Sequence, residues 1–334
     1  MTADVLLDKA TFISLWIESI LYGCHVAIFL SSLYLLRYRK PTLKFSRTVT
    51  AVMLTTMFAL STTHMSINFA RGLKAFVSYQ ETPFGASVYL RQLWASINVA
   101  KQAVYVINVL VGDSFALYRS YIILGETHFE CDQRFRKLIV FPMCSLISSA
   151  ACGYKSVYNL SQLSNLGENA FSRGIFDFRA ALLGLSLVTN TFATLLIVVF
   201  IALKSKNNMK ATKGVANPYR KAYFSLLQFG IIIPSSLTTS LVLYSLKMNA
   251  NLIVLDAMSQ ITGFASAIVV INNHLPGLFC ANQLHQLGAK PSIERIHQDF
   301  LEKNRSRGRA HSESSMTPLT VRIDRVVEPD TDTR

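Results

Sequence analysis

Charge is what this chain has least of. Asp, Glu, Lys and Arg together make up 16% of its 334 residues, against roughly a quarter in soluble domains. With 51% hydrophobic residues and a mean hydropathy of +0.34, that scarcity excludes an ordinary soluble enzyme fold. Cysteine is absent from the loops where it would staple a fold. Cys24, Cys144 and Cys152 fall inside apolar segments, and Cys131 and Cys280 fall on the side assigned below to the cytosol. No structural disulfide is therefore expected. No internal repeat is visible, which argues against an inverted-repeat transporter. The seventh apolar segment has no lysine for a Schiff base, which disfavours a light-driven pump. His25, His64 and His274 sit at different depths, which disfavours an intramembrane metal hydrolase. Neither cofactor nor metal is expected, and the chain is not expected to be an enzyme.

What is present is apolar length. About 20 mostly apolar residues cross a bilayer core, and seven segments qualify, near 12–36, 48–70, 94–118, 138–160, 179–203, 223–246 and 252–275. Their runs exceed ordinary core helices and carry no wholly polar face. The expected fold is an all-α membrane protein, a seven-transmembrane helix bundle spanning residues 1–280. Residues 1–11 are too short and polar for a signal peptide, so the first segment is expected to act as an uncleaved anchor. Residues 281–303 suit a cytosolic amphipathic helix. Residues 304–334 are polar and charged, and are expected to form a disordered cytosolic tail.

The net charge of +14 invites a nucleic-acid reading, but its distribution argues against one. Segments 37–47, 119–137, 204–222 and the stretch from 276 onward hold 24 Lys and Arg; the alternate segments hold 6. That asymmetry puts the N-terminus outside and the C-terminus in the cytosol. The basic loops then face anionic lipid, at roughly 1 kcal/mol per charge close to the surface. The lipid bilayer, not nucleic acid, is the expected partner, and the plasma membrane the expected location. Two sequons, at Asn159 and Asn304, fall at an outer boundary and in the cytosol, where the second should be inert.

Ionisable groups in hydrocarbon are costly and mark function by default. Chain direction places Glu18, His64, Lys101 and Asp256 at similar depth in the outer half of segments 1, 2, 3 and 7. Glu18, Tyr22 and His25 share one helical face. Lys101 is expected to pair with Glu18 or Asp256, since lone charges at that depth are poorly tolerated. The four residues suit either a pocket for a small external ligand or a network that locks helices together. Asp113 lies in the inner half of the third segment, beside Gly112, whose bare backbone admits a close neighbour. Arg119, six residues on, falls on nearly the opposite face and cannot pair with it within the helix. Tyr118, Arg119 and Asp113 are candidates for a switch coupled to a cytosolic signalling protein. Pro234 should kink the sixth segment, and the hydroxyls of Ser61 to Thr63 and Ser235 to Thr239 should bond to the preceding helical turn.

The stretches Glu18-Ser19-Ile20-Leu21-Tyr22-Gly23, Ser61-Thr62-Thr63-His64 with Arg71, Gly112-Asp113 with Tyr118-Arg119-Ser120-Tyr121, and Ser186-Leu187-Val188-Thr189-Asn190 resemble a large family of uncharacterised seven-span membrane proteins from mushroom-forming (basidiomycete) fungi. The resemblance runs over about 12–275 and implies the fold, not an activity. Architecture favours a receptor-like sensor of a small external ligand that signals to the cytosol. The chain lacks the acidic-Arg-Tyr triplet and the Asn-Pro-x-x-Tyr of rhodopsin-like receptors, carrying Tyr118-Arg119-Ser120 and Asn272-Asn273-His274-Leu275-Pro276 instead. A small-molecule transporter is the alternative, because charges facing a cavity serve it equally well.

Overall fold

The computed structural model describes residues 4–39, 46–79, 81, 83–125, 137–163, 173–208 and 231–274. All lie in the first of two compact units, Met1–Asn282. The expectations for residues 281–334, Cys131, Cys280 and Asn304 fall outside the described residues.

Among the described residues all regular structure is helical: α1 (Leu7–Tyr38), α2 (Arg47–Leu73), a π-helical turn (Lys74–Ser78), α3 (Gly85–Arg91), α4 (Ser96–Gly125), α5 (Val140–Ser161), α6 (Arg173–Asn208), α7 (Ile232–Ser245) and α8 (Asn251–His274). Four helices are long and apolar enough to cross a membrane: Leu7–Tyr38, Ser96–Leu124, Gly174–Val199 and Asn251–His274. Helix α2, at 27 residues, and α5, at 22, have the length but more polar side chains. Helix α7 is apolar and 14 residues long as described. Pro234 lies in its first turn, where a missing N–H leaves no helical bond unmade. The kink expected there involves residues 223–230, outside the described residues.

Apart from the short α3, the helices pack in chain order around a ring. Each touches the next, and α8 closes on α1. Helix α8 also touches α2 and α4, and 78% of its most apolar stretch is buried, against 28% for α1. Close approach at the centre depends on glycine. A Cβ on Gly112 of α4 would overlap the Thr262 methyl of α8, and one on Gly263 of α8 would overlap the His25 ring of α1.

The distribution of polarity inverts that of a soluble protein. Phe12, Trp16, Leu30, Tyr34, Ile147 and Tyr154 are exposed, while Glu18, His64, Lys101, Asp113 and Asp256 are buried. Apolar surface of this extent needs a covering, and a bilayer supplies it. Buried charge needs partners, and the helices supply those. Of the hydroxyls expected to bond to their own helix, Thr62, Thr63, Thr238 and Thr239 do so, to the Phe58, Ala59, Pro234 and Ser235 carbonyls, whereas buried Ser61 donates instead to the Ser259 carbonyl of α8.

The connection from α2 to α4 is more structured than the sequence suggested. The π-helical turn and α3 fold back over the end of the bundle that carries the chain N-terminus, with Ala75, Tyr89 and Leu90 packed against Leu7 and Phe76. Arg71 fastens α3 by donating to the Leu90 carbonyl at 2.9 Å. At the same end Asp4 accepts the Asn249 backbone N–H at 3.0 Å, which pins α1 to the α7–α8 turn.

Candidate functional site

Two polar clusters occupy the bundle interior at different levels. The first joins α1, α2, α4 and α8 in the half nearer the chain N-terminus, and it contains all four residues expected there. Glu18 is 0% exposed, His64 and Lys101 1%, and Asp256 3%. Lys101 Nζ lies 2.9 Å from Asp256 Oδ1, so the pairing left open in the sequence falls to Asp256. Glu18 is held instead by α2: His64 Nδ1 lies 2.7 Å from its Oε1, and Asn68 Nδ2 donates to its Oε2 at 2.6 Å.

Asn68 joins the two halves of the cluster. Its amide nitrogen also donates to Asp256 Oδ2 at 3.1 Å, and its carbonyl oxygen accepts from Lys101 Nζ at 3.1 Å. Ser14 donates to Asp256 Oδ2 at 2.8 Å, and Ser259 donates to Glu18 Oε1 at 3.2 Å. Every carboxylate oxygen of Glu18 and Asp256 has a hydrogen-bond or ion-pair partner, the condition under which charge is tolerated at such depth.

Beneath it, a neutral tier continues the same contacts. Ser61 and Asn108 both donate to the Ser259 carbonyl at 2.7 Å, and Gln260 Nε2 donates to the Ser61 carbonyl at 3.1 Å. His25 Nδ1 lies 3.2 Å from Gln260 Oε1. His25 and Glu18 thus share one network, as their common face on α1 implied. Tyr22 turns to Thr62 of α2, with its hydroxyl 3.3 Å from Thr62 Oγ1.

Glu18, His64 and Asp256 bring one ligand atom each within 4.8 Å of one another. That is a donor set a divalent cation accepts, and the depth comparison among the histidines alone had missed it. The Lys101 ammonium already places a positive charge on Asp256, so a metal would have to compete with it.

The second cluster ties α4 to α6. Asp113 Oδ1 accepts from Ser186 Oγ at 2.9 Å and Asn190 Nδ2 at 2.5 Å, and its Oδ2 has no partner among the described residues. Arg119 does not meet Asp113. It is 6% exposed, and among the described residues its Nε has no partner and it forms no ion pair. Tyr118 accepts a hydrogen bond from the Ser46 backbone N–H at 3.1 Å, at the start of α2. Asp113 and Tyr118 therefore address different parts of the bundle, α6 and the start of α2.

Sequence reasoning missed Asn68, Ser14, Ser259 and Gln260. Two carried a readable signal: Asn68 lies four residues after His64, and Ser14 four before Glu18, so each had to share its neighbour's face. Ser186 and Asn190 follow the same i, i+4 rule on α6.

No protein family, curated protein or solved structure matched the chain.

Proposed function

We propose that the protein is a seven-span receptor-like membrane protein of the plasma membrane, with its N-terminus outside and its C-terminus in the cytosol. It senses a small external ligand and signals to a cytosolic partner, with Asp113, Tyr118 and Arg119 at the coupling end. No enzymatic step is assigned to it, and it takes its place beside the mushroom-forming fungal proteins it resembles.

The observation that carries this proposal is the contrast between the two clusters. The upper network is closed, with both carboxylates multiply bonded. The lower one is not: among the described residues Asp113 Oδ2, and Arg119 Nε further along α4, are buried without partners. Unsatisfied buried groups cost free energy, and a two-state device needs inner contacts whose partners differ between states. Asp113 and Arg119 have bonding capacity in reserve for a second arrangement. The upper network supplies the rigid frame against which α6 moves.

The test is a cytosolic signalling readout screened against extracts and volatile compounds, using wild type, Asp113→Asn and Arg119→Ala at equal surface expression. Asp113→Asn keeps the volume and removes the charge, so basal activity should shift while the fold persists. Identical basal and stimulated responses in all three would end the switch assignment. Solute uptake by the purified protein in liposomes would replace the receptor with the transporter.

A further inference from the structure

Helices α2, α4 and α8 pack together near the end of the bundle opposite the chain N-terminus, where Leu54, Phe115 and Val270 belong to one apolar cluster. One turn nearer that end, on the same three faces, lie Thr50, four residues before Leu54, Arg119, four after Phe115, and His274, four after Val270. The contact at Gly112 points the same way. A Cβ there would lie within 4 Å of Met57 and Thr262, and Thr50 and Arg119 share the faces of Met57 and Gly112 two turns further on. Thr50 is 1% exposed, and Arg119 and His274 are each 6% exposed.

Each of these three side chains has an atom to spare. Thr50 Oγ1, Arg119 Nε and His274 Nε2 are buried without hydrogen-bond partners among the described residues. His274 Nδ1 donates to the Val270 carbonyl at 2.9 Å, so Nε2 can accept a proton or, once protonated, donate one. No carboxylate lies within 4.0 Å of Arg119 or His274 among the described residues. Arg47, in the first turn of α2, adds a second positive charge close to His274. Helix α2 begins there with no side-chain cap and no acid in its first turn, and the N–H groups of a helix start favour an anion. In the upper network Lys101 has an acid; in this layer Arg119 has none.

Buried donors without partners cost free energy, and one anion with several acceptor oxygens would satisfy these together. A carboxylate offers a single planar edge, which suits one guanidinium fork. A phosphate monoester offers three terminal oxygens, which suits groups arriving from three helices. Its P–O–H, when singly protonated, donates to His274 Nε2. We propose that Thr50, Arg119 and His274 bind a phosphate monoester group between α2, α4 and α8. Thr50 lies in the first turn of α2 and His274 is the last residue of α8, so the phosphoryl group has one helical turn to cross rather than the bundle core. The site goes beyond the signalling proposal and does not depend on it, because a transporter packed in this way would carry it as well.

The experiment is equilibrium binding of radiolabelled orthophosphate to the full chain in phosphatidylcholine nanodiscs, with empty nanodiscs as background. Phosphatidylcholine carries only a phosphodiester, which leaves two terminal oxygens. Wild type should bind saturably, and acetate should compete at least tenfold less well than unlabelled phosphate. Arg119→Gln should weaken binding tenfold or more. Thr50→Val keeps the shape and removes the hydroxyl, so it should weaken binding at least threefold. Without phosphate its thermal stability should be no lower than that of wild type, because the hydroxyl has no partner to lose. If Arg119→Gln does not fold, Thr50→Val and the acetate comparison decide. Doping the discs with phosphatidic acid separates the two sources of such a group, with phosphatidylglycerol as the control for charge without a monoester. Displacement of labelled phosphate by phosphatidic acid alone marks a lipid headgroup as the ligand; unchanged binding marks a soluble phosphate. Binding no greater than that of empty discs, equal competition by acetate, equal displacement by both lipids, folded variants that bind like wild type, or a Thr50→Val protein less stable than wild type without phosphate would each overturn the assignment.

Discussion

Lys101 and Asp256 meet at 2.9 Å between α4 and α8, while Glu18, at the same level, is held by His64 and Asn68 of α2. The acids are thus not interchangeable. Removing one partner of a buried pair leaves an uncompensated charge, at a cost of about 3–5 kcal/mol. Lys101→Met should lower thermal stability in detergent by that order. Adding Asp256→Asn to Lys101→Met should restore part of the loss, whereas adding Glu18→Gln should restore much less. Equal recovery from both acids, or strict additivity in both double mutants, would contradict the assignment of Asp256 as the partner.

Asn68 touches three charged groups at once, donating to Glu18 and Asp256 and accepting from Lys101. Hydrogen bonds to charged groups contribute about 1.5–3 kcal/mol each. Asn68→Leu should therefore destabilise the protein about as much as Lys101→Met, although it removes no charge. Asn108→Leu should cost less, because the Asn108 side-chain carbonyl already lacks a partner among the described residues. Thermal unfolding of the two variants side by side checks the order.

The level of the charge network was legible because chain direction alone converts residue number into depth. Counting inward put Glu18, His64, Lys101 and Asp256 together, and the structure joins them. Which acid takes Lys101 was not legible. That depends on how α4 and α8 are rotated against each other, and the rotation follows from overlaps such as Gly112 against Thr262, between residues 150 positions apart. Asp113 was visible as a buried charge, but its partner Asn190 lies 77 residues away, and no local pattern connects them. Helix α3 was missed because a seven-residue helix folded on a loop has no periodicity long enough to read.

The proposed topology follows from 24 Lys and Arg on one set of loops against 6 on the other. Single cysteines introduced at 165–175 and at exposed positions within 74–90, such as Lys74 and Ser78, should react with an impermeant thiol reagent on intact cells. Those at 205–215 should react only after permeabilisation. Labelling of 205–215 from outside would reverse the orientation and move Asp113 and Arg119 to the outer half, which would remove their assignment to cytosolic coupling.

Gly263 and Gly23 separate packing from propensity. A Cβ on Gly263 would overlap the His25 imidazole, a ring already fixed by Gln260 and packed edge-on to Phe58 at 5.5 Å. Overpacking of a filled interior costs about 1–3 kcal/mol, so Gly263→Ala should destabilise by that order. A Cβ on Gly23 meets nothing within 4 Å, so Gly23→Ala should be neutral or stabilise by up to about 1 kcal/mol through the lower entropy of the unfolded chain. The two substitutions are chemically identical, and helix propensity alone predicts the same sign for both. His25→Ala should remove the overlap, so Gly263→Ala made in that background should cost clearly less than in wild type. If the cost is unchanged, the ring is not what Gly263 makes room for, and the contact between α1 and α8 at this level must be set by other residues.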